Sequence, residues 1–523
     1  MPWANDASAW PLLRAPRRPS TVRARSDREA AIEPLWLLAG LWFVAAILAG
    51  VTLREGIAPH EEGLMLQAAQ RVADGQLPYR DFWCNCGPGQ PFALGALTKL
   101  VGPSLVTWRL VRLALDATVA LLAFSLARRH APLPWALAAW LGAAGAMAFP
   151  TGAGPNPAAL ALGLGAIALA RRAPAGAGAL AGAAALFRPD LGAAAAVGVL
   201  IATGRGGAVR ALLASTVTAA LLYLPFVLLA PRELLDQTVG FLGVQDLQRL
   251  PFPLDYAGGA DPSKVLELYG PAILIAGLAA WAVSALARRP SLEEWALAPL
   301  AIAGALYLLA RTDELHLAPL AVVLPAMLAI AAAELRRGAA RVVLALPLLF
   351  VIGQAVERQL ALVVHPTGDR APALAVVDGV RVPEADAEAL EATARFVSAR
   401  VPPGAPIFVA NPRHDLVRVG DPLLYVLLER PNPTRYDAMT PGVVTTARVQ
   451  REIVADLRSA SPALVVRWVD PTASRPEPNR AGRSSGVRIL DAFLETAYRP
   501  VARFGDYQLL APRRSPPTRR PST

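Results

Sequence analysis

Residues 35 to 53 read LWLLAGLWFVAAILAGVTL, and residues 54 to 89 read REGIAPHEEGLMLQAAQRVADGQLPYRDFWCNCGPG. The first segment is an uncharged apolar run long enough to cross about 30 Å of hydrocarbon as a helix. The second is different in kind. Between Glu61 and Asp74, the apolar residues Leu64, Met65, Ala68, Ala69 and Val72 fall on one helical face, with Gln67, Gln70 and Arg71 largely opposite. An amphipathic helix of this length lies in the membrane interface instead of crossing it. Glu61 and Glu62 stand at its N-terminus, where the helix dipole favours negative charge.

Further predominantly apolar runs lie near 104 to 127, 133 to 150, 157 to 170, 177 to 187, 191 to 203, 209 to 230, 269 to 287, 295 to 310, 316 to 333 and 341 to 362, which with the first makes eleven. Of the 523 residues 54% are apolar and 17% charged, against about a quarter charged in a soluble chain. Mean hydropathy is +0.40. The expected fold is therefore a polytopic α-helical membrane protein, which excludes a secreted enzyme, a nucleic-acid factor and a fibrous protein. The net charge of +11 reads as an orientation signal and as contact with membrane lipid, with no nucleic-acid partner.

The arginines test the span count. With the N-terminal tail placed inside, Arg128 and Arg129, Arg171 and Arg172, Arg205 and Arg210, Arg288 and Arg289, and Arg336, Arg337 and Arg341 all fall inside. Glu61, Glu62, Asp81, Asp255, Asp261, Asp313 and Glu314 fall outside. Two short runs between 177 and 203 flank Phe187-Arg188-Pro189-Asp190 and read either as two crossings or as a tilted or re-entrant pair. The expected division is an Arg- and Pro-rich cytoplasmic tail at 1 to 32, a transmembrane domain at 33 to 363 with an outer loop at 54 to 103, a soluble α/β domain at 364 to 512, and a disordered tail at 513 to 523. In the soluble domain, helical spacing marks 384 to 400, 422 to 429 and 447 to 459, and short apolar runs at 406 to 410, 463 to 468 and 507 to 510 read as strands. Its loop Asn411-Pro412-Arg413-His414-Asp415 reads as a surface loop or a ligand loop after a strand.

Several chemistries have no motif. The sequence holds no G-x-x-x-x-G-K-[ST] phosphate loop, no G-x-S-x-G elbow and no H-E-x-x-H. Glycine-rich GAGALAGAA from 176 fits close helix packing better than a phosphate cradle. Cys84 and Cys86, with a single residue between them, read as two unpaired thiols in a loop.

Three sets of residues carry a resemblance. They are HEEG at 60 to 63, GQLPYRDFWCNCGPG at 75 to 89, and the short hydrophobic helix at 91 to 101 that leads into the second span. Weaker matches are LFRPDLG at 186 to 192 and RTDELH at 311 to 316. In this order, after a basic tail and a first span, they resemble the lipid-dependent C-type glycosyltransferase superfamily. That superfamily includes the protein O-mannosyltransferases, the aminoarabinose transferase of lipid A, and bacterial enzymes of lipopolysaccharide cores.

The resemblance implies a C-type transmembrane domain, carried by about eleven spans, with a C-terminal soluble α/β domain. It implies transfer of a sugar from a polyprenyl-phosphate donor to a cell-envelope acceptor (glycan, lipid or protein), at the periplasmic face of a bacterial inner membrane. The family's acidic motif is most often Asp-Glu. In HEEG, Glu61 takes the place of the aspartate and Glu62 that of the glutamate, so the leading carboxylate is one methylene longer.

A sugar on a polyprenyl phosphate has an anionic leaving group that needs no strong acid. The reaction needs a base near the acceptor hydroxyl or amine and cations that hold the phosphate. Glu61 is the expected base or orienting carboxylate. Glu62 and Asp81 are further catalytic carboxylates that orient the acceptor, hold a positive partner, or bind Mg²⁺ or Mn²⁺, the possible cofactors. Arg80, Arg188 and Lys264 are the expected donor-phosphate ligands, with His60, Asp190, Asp313, Glu314 and His316 as further site residues. The competing readings are a transporter or flippase for lipid-linked sugars, with its charges near the bilayer midplane, and an inactive envelope-assembly scaffold.

Overall fold

The computed structural model describes residues 33–148, 154–250, 262–335, 338–366, 368–477 and 479–513, without the side chains of 262–268 and of Glu314. The expected tails, Asp255, Asp261, Arg336, Arg337 and the side chains of Lys264 and Glu314 lie outside the described residues.

The membrane-embedded part is built from α1 (Leu35–Gly50), α4 (Leu105–Arg128), α5 (Leu133–Met147), α6 (Asn156–Leu169), α7 (Pro174–Phe187), α8 (Pro189–Leu229), α11 (Pro262–Arg288), α12 (Leu292–Trp295), α13 (Ala298–Ala310), α14 (Glu314–Glu334) and α15 (Gly338–Val364). Between α1 and α4 lie α2 (Glu61–Ala73) and α3 (Gly89–Val101). Among the described residues six helical stretches are long and apolar enough to cross a membrane, and α1, α5, α6 and α7 are shorter apolar helices. A helix apolar on all sides belongs in an interior, and α14 takes that place, with 83% of its apolar window buried. The outward faces of α1, α8 and α15 expose Trp36, Phe43, Leu221, Leu228, Leu346 and Leu349, as lipid contact requires.

Proline stands in the first turn of α5, α6, α7, α8 and α13, where its missing N–H costs nothing. Gly204, at φ +58°, breaks α8 where the sequence separates the runs 191 to 203 and 209 to 230. The glycines of GAGALAGAA are packing positions: a Cβ at Gly178 would fall 2.1 Å from the Ala211 carbonyl oxygen, and one at Gly182 2.5 Å from that of Ser215. At one end of the bundle Arg129, His130 and Arg171 converge on Glu293, so these basic loops share an end.

At the opposite end sits an α/β unit. Its strands are β1 (Phe408–Ala410), β2 (Val465–Trp468), β3 (Tyr498–Phe504) and β4 (Tyr507–Pro512), and its helices are α16 (Glu384–Ser398), α17 (Leu423–Leu427), α18 (Ala447–Ala460) and α19 (Ile489–Ala497). The four-stranded sheet runs β1-β2-β4-β3, with β1 parallel to β2 and the other pairs antiparallel. One face packs on α18 and α19 through Phe408, Val465 and Leu510. The other packs through Val409, Val466 and Leu509 on α16 and α17, in a core that continues into Leu66 of α2 and Trp108 of α4.

Two expectations are corrected. The span pattern leaves 231 to 268 between two apolar runs, as a long outer loop with Lys264 in it, but its described residues form α9 (Pro231–Thr238), α10 (Phe241–Gln248) and the first turns of α11. A loop reading missed these helices because each of the first two is only 8 residues long. Cys84 and Cys86 are joined in a disulfide, their Cα atoms 5.5 Å apart. The turn through Asn85 brings them within the ordinary Cα range for a bridge despite the short spacing.

Candidate functional site

The helix α2 is clamped between the bundle and the sheet domain. Arg71 in its last turn pairs with Asp437 at 2.7 Å and donates to the Thr434 carbonyl at 2.6 Å. Gly63 lets its first turn press on the sheet domain, since a Cβ there would lie 2.3 Å from the Leu423 nitrogen. Gly87 and Gly89 pack against the backbone of Leu186 and Phe187, which joins the GPG segment to the turn that carries Arg188.

The two glutamates of HEEG have opposite environments. Glu62 is fully buried and takes a bidentate pair from Arg109 of α4, with Arg109 Nε to Oε1 and Nη2 to Oε2 both 2.7 Å. The Ala58 N–H donates to Glu62 Oε2 at 3.2 Å, and Arg109 also donates to the carbonyls of Leu53 and Gly56. Glu62 therefore acts as a strut between α2 and α4. Glu61, on the next position round the helix, is half-buried, and its carboxylate makes no hydrogen bond or ion pair among the described residues. It is the free carboxylate of the pair.

His60 sits beside it. The Gly420 N–H donates to His60 Nδ1 at 3.3 Å, which leaves the proton of the neutral ring on Nε2. Burial holds the His60 pKa below its usual value, against the opposing charge of Glu61. Arg311 and Arg418 act electrostatically on the same ring. Both arginines are anchored on Glu477 of the sheet domain, Arg311 Nη2 at 2.6 Å and Arg418 Nε at 2.7 Å.

From Arg311 the polar chain continues into the bundle. Arg311 Nε donates to Asp313 Oδ2 at 2.6 Å, and the other Asp313 oxygen pairs with His316 Nδ1. Burial pushes the Asp313 carboxyl up, but the His316 and Arg311 contacts outweigh it and hold the group below its usual value. The His316 ring lies 4.3 Å from that of Tyr307, and the Arg188 guanidinium lies 4.0 Å from the centroid of the same Tyr307 ring. Arg188 also donates to Asn156 at 2.7 Å and pairs with Asp190.

His60, Asp313, His316, Arg188 and Asp190, and Glu61 through His60, are thus linked into one polar neighbourhood. Asp81 and Arg80 form a separate, exposed bidentate pair. They follow the end of α2, where Phe82 lies 5.5 Å from Arg71, and ten residues of helix rise about 15 Å. Glu61 and Asp81 therefore do not form a carboxylate dyad. Hydrogen bonds from Arg80 hold the Asp81 carboxyl below its usual value. Lys264 belongs to helix α11 instead of a loop. The sequence reading did not single out Arg109, Arg311, Arg418, Glu477 or Tyr307. Arg109 carried a signal, a charge inside an apolar run. Loop 411–415 is held internally, with His414 fully buried on Asp491 at 2.7 Å.

The turn that seats His60 also contains Asp421. It accepts from the Leu424 N–H at 3.1 Å and the Tyr507 hydroxyl at 3.2 Å, and burial pushes its carboxyl up to about 7. A folded-state pKa raised above the unfolded value stabilises fully at low pH and loses that contribution as pH rises through about 7. Thermal stability is expected to decline between about pH 4 and 7 and to level off above that, and Asp421→Asn to flatten that slope in scanning fluorimetry. An unchanged slope in the variant assigns the pH dependence to another group.

The fold is that of a polytopic membrane protein, and it is shared with a solved structure. The chain superposes on the aminoarabinose transferase ArnT from Cupriavidus metallidurans, in a crystal structure bound to undecaprenyl phosphate. That match has a TM-score of 0.50 and 16% sequence identity and covers 92% of this chain and 98% of the other. The archaeal oligosaccharyltransferase AglB from Archaeoglobus fulgidus, in complex with an inhibitory peptide and a dolichol-phosphate, matches with a TM-score of 0.47 and 13% identity over 83% of this chain and 69% of its own. No protein-family model and no curated protein matches the sequence.

Proposed function

We propose that the chain is a membrane glycosyltransferase that moves a sugar from a polyprenyl-phosphate donor to a cell-envelope acceptor. The observation that carries this reading is the unpartnered Glu61 carboxylate, set at a helix N-terminus beside a chain of anchored arginines while its neighbour Glu62 is fully paired. In the proposed step Glu61 takes the proton of the acceptor hydroxyl or amine. The acceptor atom bonds to the anomeric carbon from the face opposite the phosphate, the carbon–oxygen bond to phosphate breaks, and polyprenyl phosphate leaves with inverted configuration at the sugar. Arg188 is the proposed phosphate ligand, since its guanidinium is fixed by Tyr307 and Asn156. Glu62 positions Glu61 through Arg109.

The same reading assigns eleven spans, counting α8 as two, with the N-terminal tail cytoplasmic and the α/β unit on the periplasmic face. A hexosyl or pentosyl group is the proposed cargo. For Mg²⁺ or Mn²⁺, no group of three or more His, Cys, Asp or Glu among the described residues has metal-holding geometry, and the proposed step uses none.

Donor recognition is tested by native mass spectrometry of the purified protein with undecaprenyl phosphate and, separately, phosphatidylglycerol. Preferential retention of the polyprenyl phosphate, weakened about tenfold by Arg188→Leu, is expected. Equal retention of both lipids by wild type and variant contradicts the assignment.

A further inference from the structure

The helix α4 carries a second ionic pair that the proposed reaction does not use. Arg112 and Asp116, one helical turn apart, are 3% and 2% exposed, and Arg112 Nε lies 3.4 Å from Asp116 Oδ2. Arg112 Nη2 donates to Thr52 Oγ1 of the segment after α1 at 2.9 Å. Arg112 Nε and Nη1 and both Asp116 oxygens have no hydrogen-bond partner among the described residues. Arg109, Arg112 and Asp116 share one face of the helix, at spacings of three and four residues. Arg112 is within electrostatic reach of both Arg109 and Glu62. Glu62, Arg109, Arg112 and Asp116 thus form a buried string whose charges sum to zero.

An ion pair buried in an apolar span with hydrogen bonds unfilled gains little against desolvation, and apolar residues of similar size would pack there at no loss. Its use must lie elsewhere. Without Asp116, Arg112 is an uncompensated guanidinium next to Arg109 and competes with it for the nearest carboxylate, Glu62. We propose that Arg112 and Asp116 are a positioning pair: by holding Arg112, Asp116 leaves Glu62 to Arg109 alone and so fixes the turn that presents Glu61. The proposal rests on the reading of Glu61 as the residue that acts on the acceptor.

The test combines amide hydrogen exchange over 56 to 63 with transfer kinetics, in Asp116→Leu, Asp116→Asn and the double variant Arg112→Leu/Asp116→Leu. Asp116→Leu is expected to speed exchange in that segment about tenfold and to lower kcat about tenfold, with KM little changed. Asp116→Asn gives the same defect more mildly and serves if the leucine variant fails to fold. The double variant, with no unpaired charge, returns both quantities to within about threefold of wild type. Faster exchange confined to 56 to 63, with kcat lowered at unchanged KM and melting near that of wild type, is the signature that a purely structural role does not produce. A double variant as impaired as the single, or Asp116 variants with wild-type exchange and kcat, overturns the proposal. If wild type transfers from no donor, the exchange measurements still decide the positioning claim, and the transferase reading fails separately.

Discussion

Glu61→Gln is expected to lower the rate of sugar transfer by about a hundredfold to ten-thousandfold while leaving the protein folded. The amide matches the carboxylate in size and still accepts a hydrogen bond through its oxygen, but it cannot take a proton from the acceptor. Because the Glu61 carboxylate has no partner among the described residues, its loss leaves no buried group unsatisfied, and melting should shift by no more than a surface substitution does. The donor KM should also hold, since the phosphate is gripped elsewhere. Glu61→Asp restores the carboxylate common in the resembling family and should keep measurable activity, with the difference from wild type set by a displacement of about 1 Å. Full activity in Glu61→Gln would move the base to another residue.

The second large effect falls on stability. Glu62→Gln or Arg109→Met leaves one charge of a fully buried pair uncompensated, a change that costs about 3–5 kcal/mol. Arg109→Met carries a further penalty, because the carbonyls of Leu53 and Gly56 lose their donor. Both variants should melt well below wild type in detergent and lose transfer as well, because α2 is no longer tied to α4. The contrast is diagnostic: Glu61→Gln loses activity at wild-type stability, whereas Glu62→Gln loses both. A Glu62→Gln protein with normal melting and normal kcat would remove Glu62 from the positioning role.

Much of the fold is legible in the sequence because membrane helices are local. Apolar runs mark them one by one, and Gly204 marks where α8 breaks. The amphipathic spacing of 61 to 74 likewise gives α2 and places its two carboxylates. Long-range chemistry is less legible. Nothing in HEEG says which glutamate is paired, because that is decided by Arg109, 47 residues away. Glu477 meets Arg311 across 166 residues of chain, and no local pattern connects them. The run at 104 to 127 reads as a plain span, yet three of its residues are buried ions whose partners sit on α4 itself, on α2 and on the segment between α1 and α2. The edge strand β3 lacks the alternation of a strand, since Pro500 sits at a register shift and its middle is exposed.

The central claim is sugar transfer from a polyprenyl phosphate, and turnover by the purified protein tests it most directly. Polyprenyl-phosphate sugars of several kinds would be incubated with outer-envelope lipid extract, and free polyprenyl phosphate and new glycolipid followed by mass spectrometry. One donor is expected to release polyprenyl phosphate in step with a glycolipid of matching added mass, and Glu61→Gln to release almost none. No turnover across the panel, from protein that carries labelled lipid-linked sugar across vesicles, would contradict the transferase account and identify a transporter of lipid-linked sugars.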